Sequence, residues 1–202
     1  MFTLNLMPLR KKPVVSVVNA RLRLFALINL YQDGHLPRDP DKLTYIQVNY
    51  KPLQALMKKT EVMYAWEAGF SKGETRKWLN RQRTRYHKNW FGYFAVTLKD
   101  SDALIGQAGL IKSEINGETV VEIGYIFDNT VWGHGFAYEA ALACVDLAFN
   151  RFGVERLYAT IRPENAPSIK LAKKLGMRKT GEYVKIYQDK EMPHDIYVLD
   201  KT

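Results

Sequence analysis

The sequence holds a single cysteine, Cys144, so no internal disulfide can staple the fold, and a reducing compartment suits it. Long apolar runs are missing too: Val14–Val18, interrupted by Ser16, and Leu24–Ile28 fall far short of the roughly 18 apolar residues of a membrane span. A secretory leader places positive charge before its apolar run, whereas here Phe2, Leu4 and Leu6 precede Arg10-Lys11-Lys12. A cytoplasmic chain that engages no membrane is expected. Repeats and low-complexity linkers are absent, and 47% hydrophobic with 25% charged residues excludes collagen-like and disordered classes. Acidic residues are in deficit, 21 against 30 lysines and arginines, which leaves a net charge of +9. That balance suits an anionic partner such as a phosphate-rich cofactor, an acidic substrate or RNA, and does not choose among them.

What is present changes character near residue 42. Residues 1–42 carry Pro8, Pro13, Pro37 and Pro40 with the turn-like Asp33-Gly34, and read as an irregular appendage with one strand at Arg21–Leu27. Residues 43–202 read as one domain. Ser71-Lys72-Gly73-Glu74 is a capping box and opens a helix that runs to about Lys88. Lys72, Arg76, Lys77, Arg81, Arg83, Arg85 and Lys88 leave that helix only a sparse apolar stripe, the pattern of a solvated face or of one turned to an anion.

Strands are predicted over Phe91–Leu98, Leu104–Lys112 and Thr119–Phe127, with the hairpin pair Asn116-Gly117 joining the last two into an antiparallel meander. A helix over Gly135–Arg151, a strand over Glu155–Ile161, a helix over Asn165–Leu175 and strands at Glu182–Tyr187 and Asp195–Leu199 follow, with Gly153 and Gly176 at helix ends. The expected class is α+β, one mostly antiparallel sheet flanked by helices.

Chemistry concentrates between Glu122 and Glu139. A strand ends near Phe127, a short loop carries Gly133, His134 and Gly135, and a helix begins at once. Glycines let the backbone approach a ligand without a Cβ collision, and the unpaired N–H groups of a helix start attract an anion, so the segment reads as a pyrophosphate cradle or as a plain strand-to-helix turn. The Rossmann fingerprint fails because Tyr138 stands where its third glycine belongs, and the Gly-Lys-Ser/Thr of a Walker loop is absent. Further on, Asn165 caps a short helix that has Pro167 in its first turn and ends at Gly176-Met177.

Together the Trp132-Gly-His-Gly-Phe-Ala137 loop and the Asn165 to Met177 helix resemble the GNAT superfamily of acetyl-CoA-dependent N-acetyltransferases. Val62-Met63, Ile105-Gly106, Glu122-Ile-Gly-Tyr125 and Glu139-Ala140 are similar to its ribosomal-protein alanine N-acetyltransferase branch. The resemblance runs from about Glu61 to Leu199 and implies a splayed, mixed sheet with acetyl-CoA wedged between strands. Pyrophosphate would lie on the amides of Trp132, Gly133, His134, Gly135, Phe136 and Ala137, and pantetheine along the backbone of Ile126 and Phe127. Asn165 and Ser168 would meet the pantetheine arm or the adenosine side. Thr130 departs from the Gln or Arg usual in the family, and Ala172 from a tyrosine that protonates the departing thiolate in many relatives. The family's first strand fits Arg21-Leu-Arg-Leu24, far upstream, or Leu43–Gln47, nearer and less typical.

Acetylation needs the acceptor amine neutral, and a carboxylate can take its proton directly or through water. Glu122 is the candidate base, with a strand glutamate in an ion pair as the alternative. His134 belongs beside the phosphates, and His35, His87 and His194 show no metal-ligand spacing. Cys144 lies at helical spacing with Ala140, Ala141, Leu147 and Ala148 and reads as a core thiol. Phe91 reads as core, while Trp66 and Trp90 fit either a core or an acceptor groove. The resemblance implies transfer of acetyl from acetyl-CoA, without a metal, to a primary amine, foremost the N-terminal α-amine of a peptide or protein. Alternatives are a small-molecule amine acceptor or a catalytically weak acetyl-CoA sensor. Direct nucleic-acid binding is not expected, since the basic helix lacks an RNP-like aromatic pattern; ribosome association and oligomeric state are left open.

Overall fold

In the computed structural model, the structure describes residues 22–26 and 50–201. Strand β1 (Leu22–Ala26) pairs antiparallel with β2 (Tyr93–Leu98), so the upstream alternative supplies the first strand through its residues 22–24, and Arg21 lies outside the described residues. The strand expected inside the appendage is therefore an edge of the main sheet, and Leu43–Gln47 lies outside the described residues.

Among the described residues two α-helices precede β2. Tyr50–Met57 forms α1, which the sequence reading did not separate from its surroundings; it is only eight residues long and buries Leu53, Leu56 and Met57. Lys72–Asn89 forms α2, opened by the expected box: Ser71 accepts from the Glu74 N–H while the Glu74 carboxylate accepts from the Ser71 N–H. Among the described residues no helix is long and apolar enough to cross a membrane.

The meander forms as expected, with β3 (Leu104–Ile115) and β4 (Glu118–Phe127) longer than their apolar cores. Asn116 and Gly117 have φ of 51° and 83°, the left-handed pair that a two-residue turn needs to follow strand twist. Next come α3 (Phe136–Asp146), a π-helical turn (Leu147–Arg151), β5 (Arg156–Ile161), α4 (Ala166–Lys174), β6 (Arg178–Tyr187) and β7 (Lys190–Asp200). Among the described residues seven strands make one sheet in the order β1-β2-β3-β4-β5-β7-β6, in which only β4 and β5 run parallel.

That parallel pair is the feature that matters. Its register holds only at Val121 with Leu157 and Glu122 with Tyr158; beyond Glu122 the two strands part, leaving a gap in mid-sheet. Alternation along β4 sends Glu122, Gly124 and Ile126 to one face and Ile123, Tyr125 and Phe127 to the other. The first face lies under α2, whose Trp78 Nε1 donates to Gln107 Oε1 opposite Ile126. On the second face sit α4, reached by Tyr125, and α3, which packs on β3, β4 and α4. Cys144 is fully buried in that packing, and burial pushes its thiol up to about 12, so it is the inert core thiol expected. Phe91 is likewise core.

Candidate active site

Glu122 is buried at the point where β4 and β5 part, and its Oε2 accepts a 2.6 Å hydrogen bond from Thr160 Oγ1 on β5. It lines a cavity of about 170 Å3 under α2. The wall is aromatic: Trp66, Trp78 and Tyr93 line it, with Trp66 edge-on to Trp78 at 5.6 Å and Trp78 against Tyr93 at 5.2 Å. Gly124 makes this possible, because a Cβ there would fall 1.9 Å from the Tyr93 hydroxyl. Trp66 is thus a groove residue. Trp90, by contrast, is 56% exposed and lines a different, shallow surface groove with Phe91 and Phe152.

The opposite wall comes from β5, β6 and β7. His194, buried, has Nδ1 2.8 Å from the Met192 carbonyl oxygen; a carbonyl only accepts, so Nδ1 carries the proton and Nε2 the lone pair. Burial pushes its pKa below the ordinary value despite that bond, with the positive charges of Lys185 and Arg162 acting in the same direction. Cavity-facing Thr160, His194 and Tyr93 carried no motif in the sequence. Only the period-2 alternation from Glu122, once strand pairing is known, would have collected them.

At the far end of β4, roughly 17 Å along the strand from Glu122, the loop to α3 is held from several sides. Asp128 caps a 3-10 turn (Asn129–Val131), accepting from the N–H and Oγ1 of Thr130. Thr130 therefore builds the turn that precedes the glycines. Lys59 Nζ donates to both Asp128 oxygens at 2.8 and 2.9 Å and to Asn129 Oδ1 at 3.0 Å. Burial alone would raise the Asp128 carboxyl, but the bonds from Lys59 and Thr130 hold it below the ordinary carboxylate range. Trp132, half exposed, donates its indole N–H to the Phe127 carbonyl at 2.9 Å and folds the loop back on the strand end. Gly133 and Gly135 have φ of 81° and 83°, and Gly135 is the N-cap of α3, with no side chain among the described residues capping that helix. A carbonyl 2.9 Å from His134 Nδ1, that of Trp132, and the ring of Phe136 stacked at 6.0 Å orient the imidazole. Ala137 is half-buried in the first turn. The cradle is thus a glycine-flanked helix start without a side-chain cap, where a Cβ added at Gly133 would meet nothing within 4 Å, the setting an anion requires.

Strand parity decides which backbone groups face the gap. The Asp128 N–H donates to the Ile105 carbonyl, so by alternation Ile126 also turns its backbone toward β3, and Tyr125 and Phe127 turn theirs toward the gap. The Phe127 carbonyl is consistent with this, being free to accept the Trp132 indole. Of the expected pair Ile126 and Phe127, the register turns the Ile126 backbone toward Gln107 on β3 and the Phe127 backbone, with that of Tyr125, toward the gap. Across the gap, Asn165 Oδ1 accepts from the Ser168 N–H and caps α4, so that side chain is committed to the helix start. The Ser168 carbonyl accepts from Tyr125 Oη at 3.1 Å. Tyr125, which the residue-by-residue reading assigned no role, so delivers a phenol to the helix face shared by Ser168 and Ala172, one turn apart. Burial pushes that phenol well above its ordinary value, and Ala172 on α4 is fully buried.

Residues 45–178 match the acetyltransferase (GNAT) domain family model. This chain belongs to the GNAT acetyltransferase family. A curated relative, the uncharacterized protein YkkB of Bacillus subtilis, is 33% identical over 87% of this chain and 95% of its own length. The uncharacterized N-acetyltransferase YnaD of the same organism is 30% identical over 71% of this chain and 84% of its own. Among solved structures, the ribosomal L7/L12 α-N-protein acetyltransferase RimL in complex with coenzyme A superposes with a TM-score of 0.68 at 16% identity, covering 93% of this chain and 97% of that one. As a GNAT member the chain is an acetyl-CoA-dependent acetyltransferase of the expected fold. The residues present fit that group: a glycine-flanked helix start without a side-chain cap at one end of the gap, and backbone edges of Tyr125 and Phe127 turned to the gap, with the Phe127 carbonyl alone already bonded to Trp132.

Proposed function

We propose that this GNAT acetyltransferase acetylates an N-terminal α-amine of a peptide or protein, entering the cavity under α2. The observation that carries the reading is Glu122: a buried carboxylate, oriented by Thr160, at the edge of the gap and open to a cavity on the face away from α3 and α4. Glu122 takes the amine proton directly or through a water, and the aromatic wall of Trp66, Trp78 and Tyr93 excludes bulk solvent while positioning the acceptor. An α-amine has an ordinary pKa of about 7.7–8.0 against about 10.4 for a lysine amine, so a single carboxylate suffices near neutral pH.

Acetyl-CoA, when bound, supplies the acetyl group as an activated thioester. The backbone of Trp132 through Ala137 holds its pyrophosphate, and the edges of Tyr125 and Phe127 hold its pantetheine arm. The free N–H groups of Tyr125 and Phe127 face the gap as donors to a developing oxyanion. We assign the proton for the departing sulfur to the Tyr125 phenol, whose O–H would swing from the Ser168 carbonyl to the sulfur and be restored by a proton from solvent. Asn165 and Ser168 act through α4, the first as its cap and the second as the anchor for Tyr125.

Thiol release measured with free-N-terminal peptides, with N-terminally blocked controls and with spermidine tests the reading. Turnover of the free peptides above spermidine by kcat/KM is expected. Preference for spermidine overturns the α-amine acceptor, and cofactor binding without turnover of any amine would make the chain a sensor.

A further inference from the structure

The cavity that holds Glu122 carries three cations. Arg81 and Arg85, one turn apart on α2, line it from the helix side, and Lys185 lines it from β6. Among the described lining residues Glu122 is the single carboxylate, and burial disfavours the charged form of His194. Among the described residues none of the three cations forms an ion pair; Arg85 makes one 3.3 Å hydrogen bond, to Gln82 Oε1. This sets them apart from Lys59, Arg162, Lys179 and Lys190, each of which meets a carboxylate.

The arrangement has a cost. Two like charges at i and i+4 repel along the helix, and a half-buried guanidinium loses hydration that Gln82 only partly replaces. Lys72, Arg76, Lys77 and Lys88 of α2 are exposed and Arg83 is half-buried outside the cavity lining, so the basic run is split between a solvated face and a cavity face. A carboxylate or phosphate on the acceptor would repay the cavity face: it would be met by a guanidinium fork from one wall and an ammonium from the other.

We infer that Arg81, Arg85 and Lys185 form an anion clamp, and that the acceptor is an amine carrying a negatively charged group beside the reacting nitrogen. The inference rests on the α-amine reading above, under which the acceptor is a peptide with Asp or Glu at its second or third residue. Extended residues advance about 3.3 Å each, so those side chains lie within one to two residues of an amine placed at Glu122. The same field repels polyamines and basic N-termini.

The test is a panel of otherwise identical free-N-terminal peptides with acidic, neutral or basic residues at positions two and three, run beside spermidine, aspartate and phosphoethanolamine. Expected is an acidic-over-basic preference of at least tenfold in kcat/KM, carried mainly by KM and shrinking as salt rises from about 0.05 to 0.5 M. Arg85→Gln, Arg81→Gln and Lys185→Gln each narrow the ratio, the last two at exposed positions whose loss the fold tolerates. If α-amine peptides turn over with no charge preference, or with a basic one, the clamp is overturned and the α-amine reading stands. If aspartate or phosphoethanolamine surpasses every peptide, the clamp is supported and the peptide acceptor falls. Preference for spermidine overturns both.

Discussion

Glu122 Oε2 and Thr160 Oγ1, 2.6 Å apart, join the last paired residue of β4 to β5 two residues beyond its partner Tyr158, where the strands separate. The bond fixes the carboxylate at the mouth of the gap, and the hydroxyl that donates it leaves Oε1 to serve an incoming amine. Glu122→Gln is expected to lower kcat by about 10²–10⁴ while leaving acetyl-CoA affinity nearly unchanged, with partial recovery at high pH where the free amine is abundant. Thr160→Val keeps the shape and removes the orienting bond, so a smaller kcat loss is expected. Steady-state kinetics with calorimetric cofactor binding separates the two quantities; an unaltered kcat in Glu122→Gln would make the glutamate a structural residue.

The cradle is checked through stability. Acetyl-CoA binds only the folded state and should raise Tm in proportion to RT ln(1 + [L]/Kd). Gly135→Val places a β-branched residue at φ 83° and a side chain where the backbone must approach the anion, so the ligand-induced rise should vanish relative to the variant's own ligand-free Tm. No rise in the unaltered protein would refute the cradle.

Tyr125→Phe probes the proton donor. The variant loses one hydrogen bond to the Ser168 carbonyl, about 1 kcal/mol of stability, and kcat should fall by about 10²-fold. The discriminating readout is the donor: a thioester with a more acidic leaving thiol needs less protonation and should show a much smaller defect. An equal defect with both donors would assign Tyr125 to anchoring α4 alone.

His194 predicts an acid limb in stability. Burial, aided by Lys185 and Arg162, depresses its folded pKa, so the unfolded chain takes up a proton that the folded one resists. The contribution is complete above the unfolded value of about 6.5 and is lost as pH falls through the lower folded value. His194→Gln should therefore flatten the decline of unfolding free energy below about pH 6.5 in urea titrations across pH; an unchanged slope would contradict it.

Element type was legible wherever a local signal was strong. The Ser71–Glu74 box, the Asn116-Gly117 turn and the glycines at 153 and 176 act over three or four residues, and each does in the structure what its chemistry dictates. Helix α1 escaped notice because eight residues give barely two turns of periodicity. Edge strand β1 was visible as a strand, but its place beside β2 rests on pairing across about 70 residues, which no local pattern encodes.

By itself the sequence determined the order of elements, the glycine loop before α3, the Asn165 cap and the buried thiol, because each follows from dihedral preference, capping or periodicity within a short window. Tertiary structure alone decided that β4 and β5 part after Glu122, that Thr160 orients its carboxylate and that Tyr125 rather than Ile126 faces the gap. It also brought Arg81, Arg85 and Lys185 around one carboxylate. These are matters of register and parity between strands distant in sequence: shifting a pairing by one residue would send every one of these groups to the opposite face.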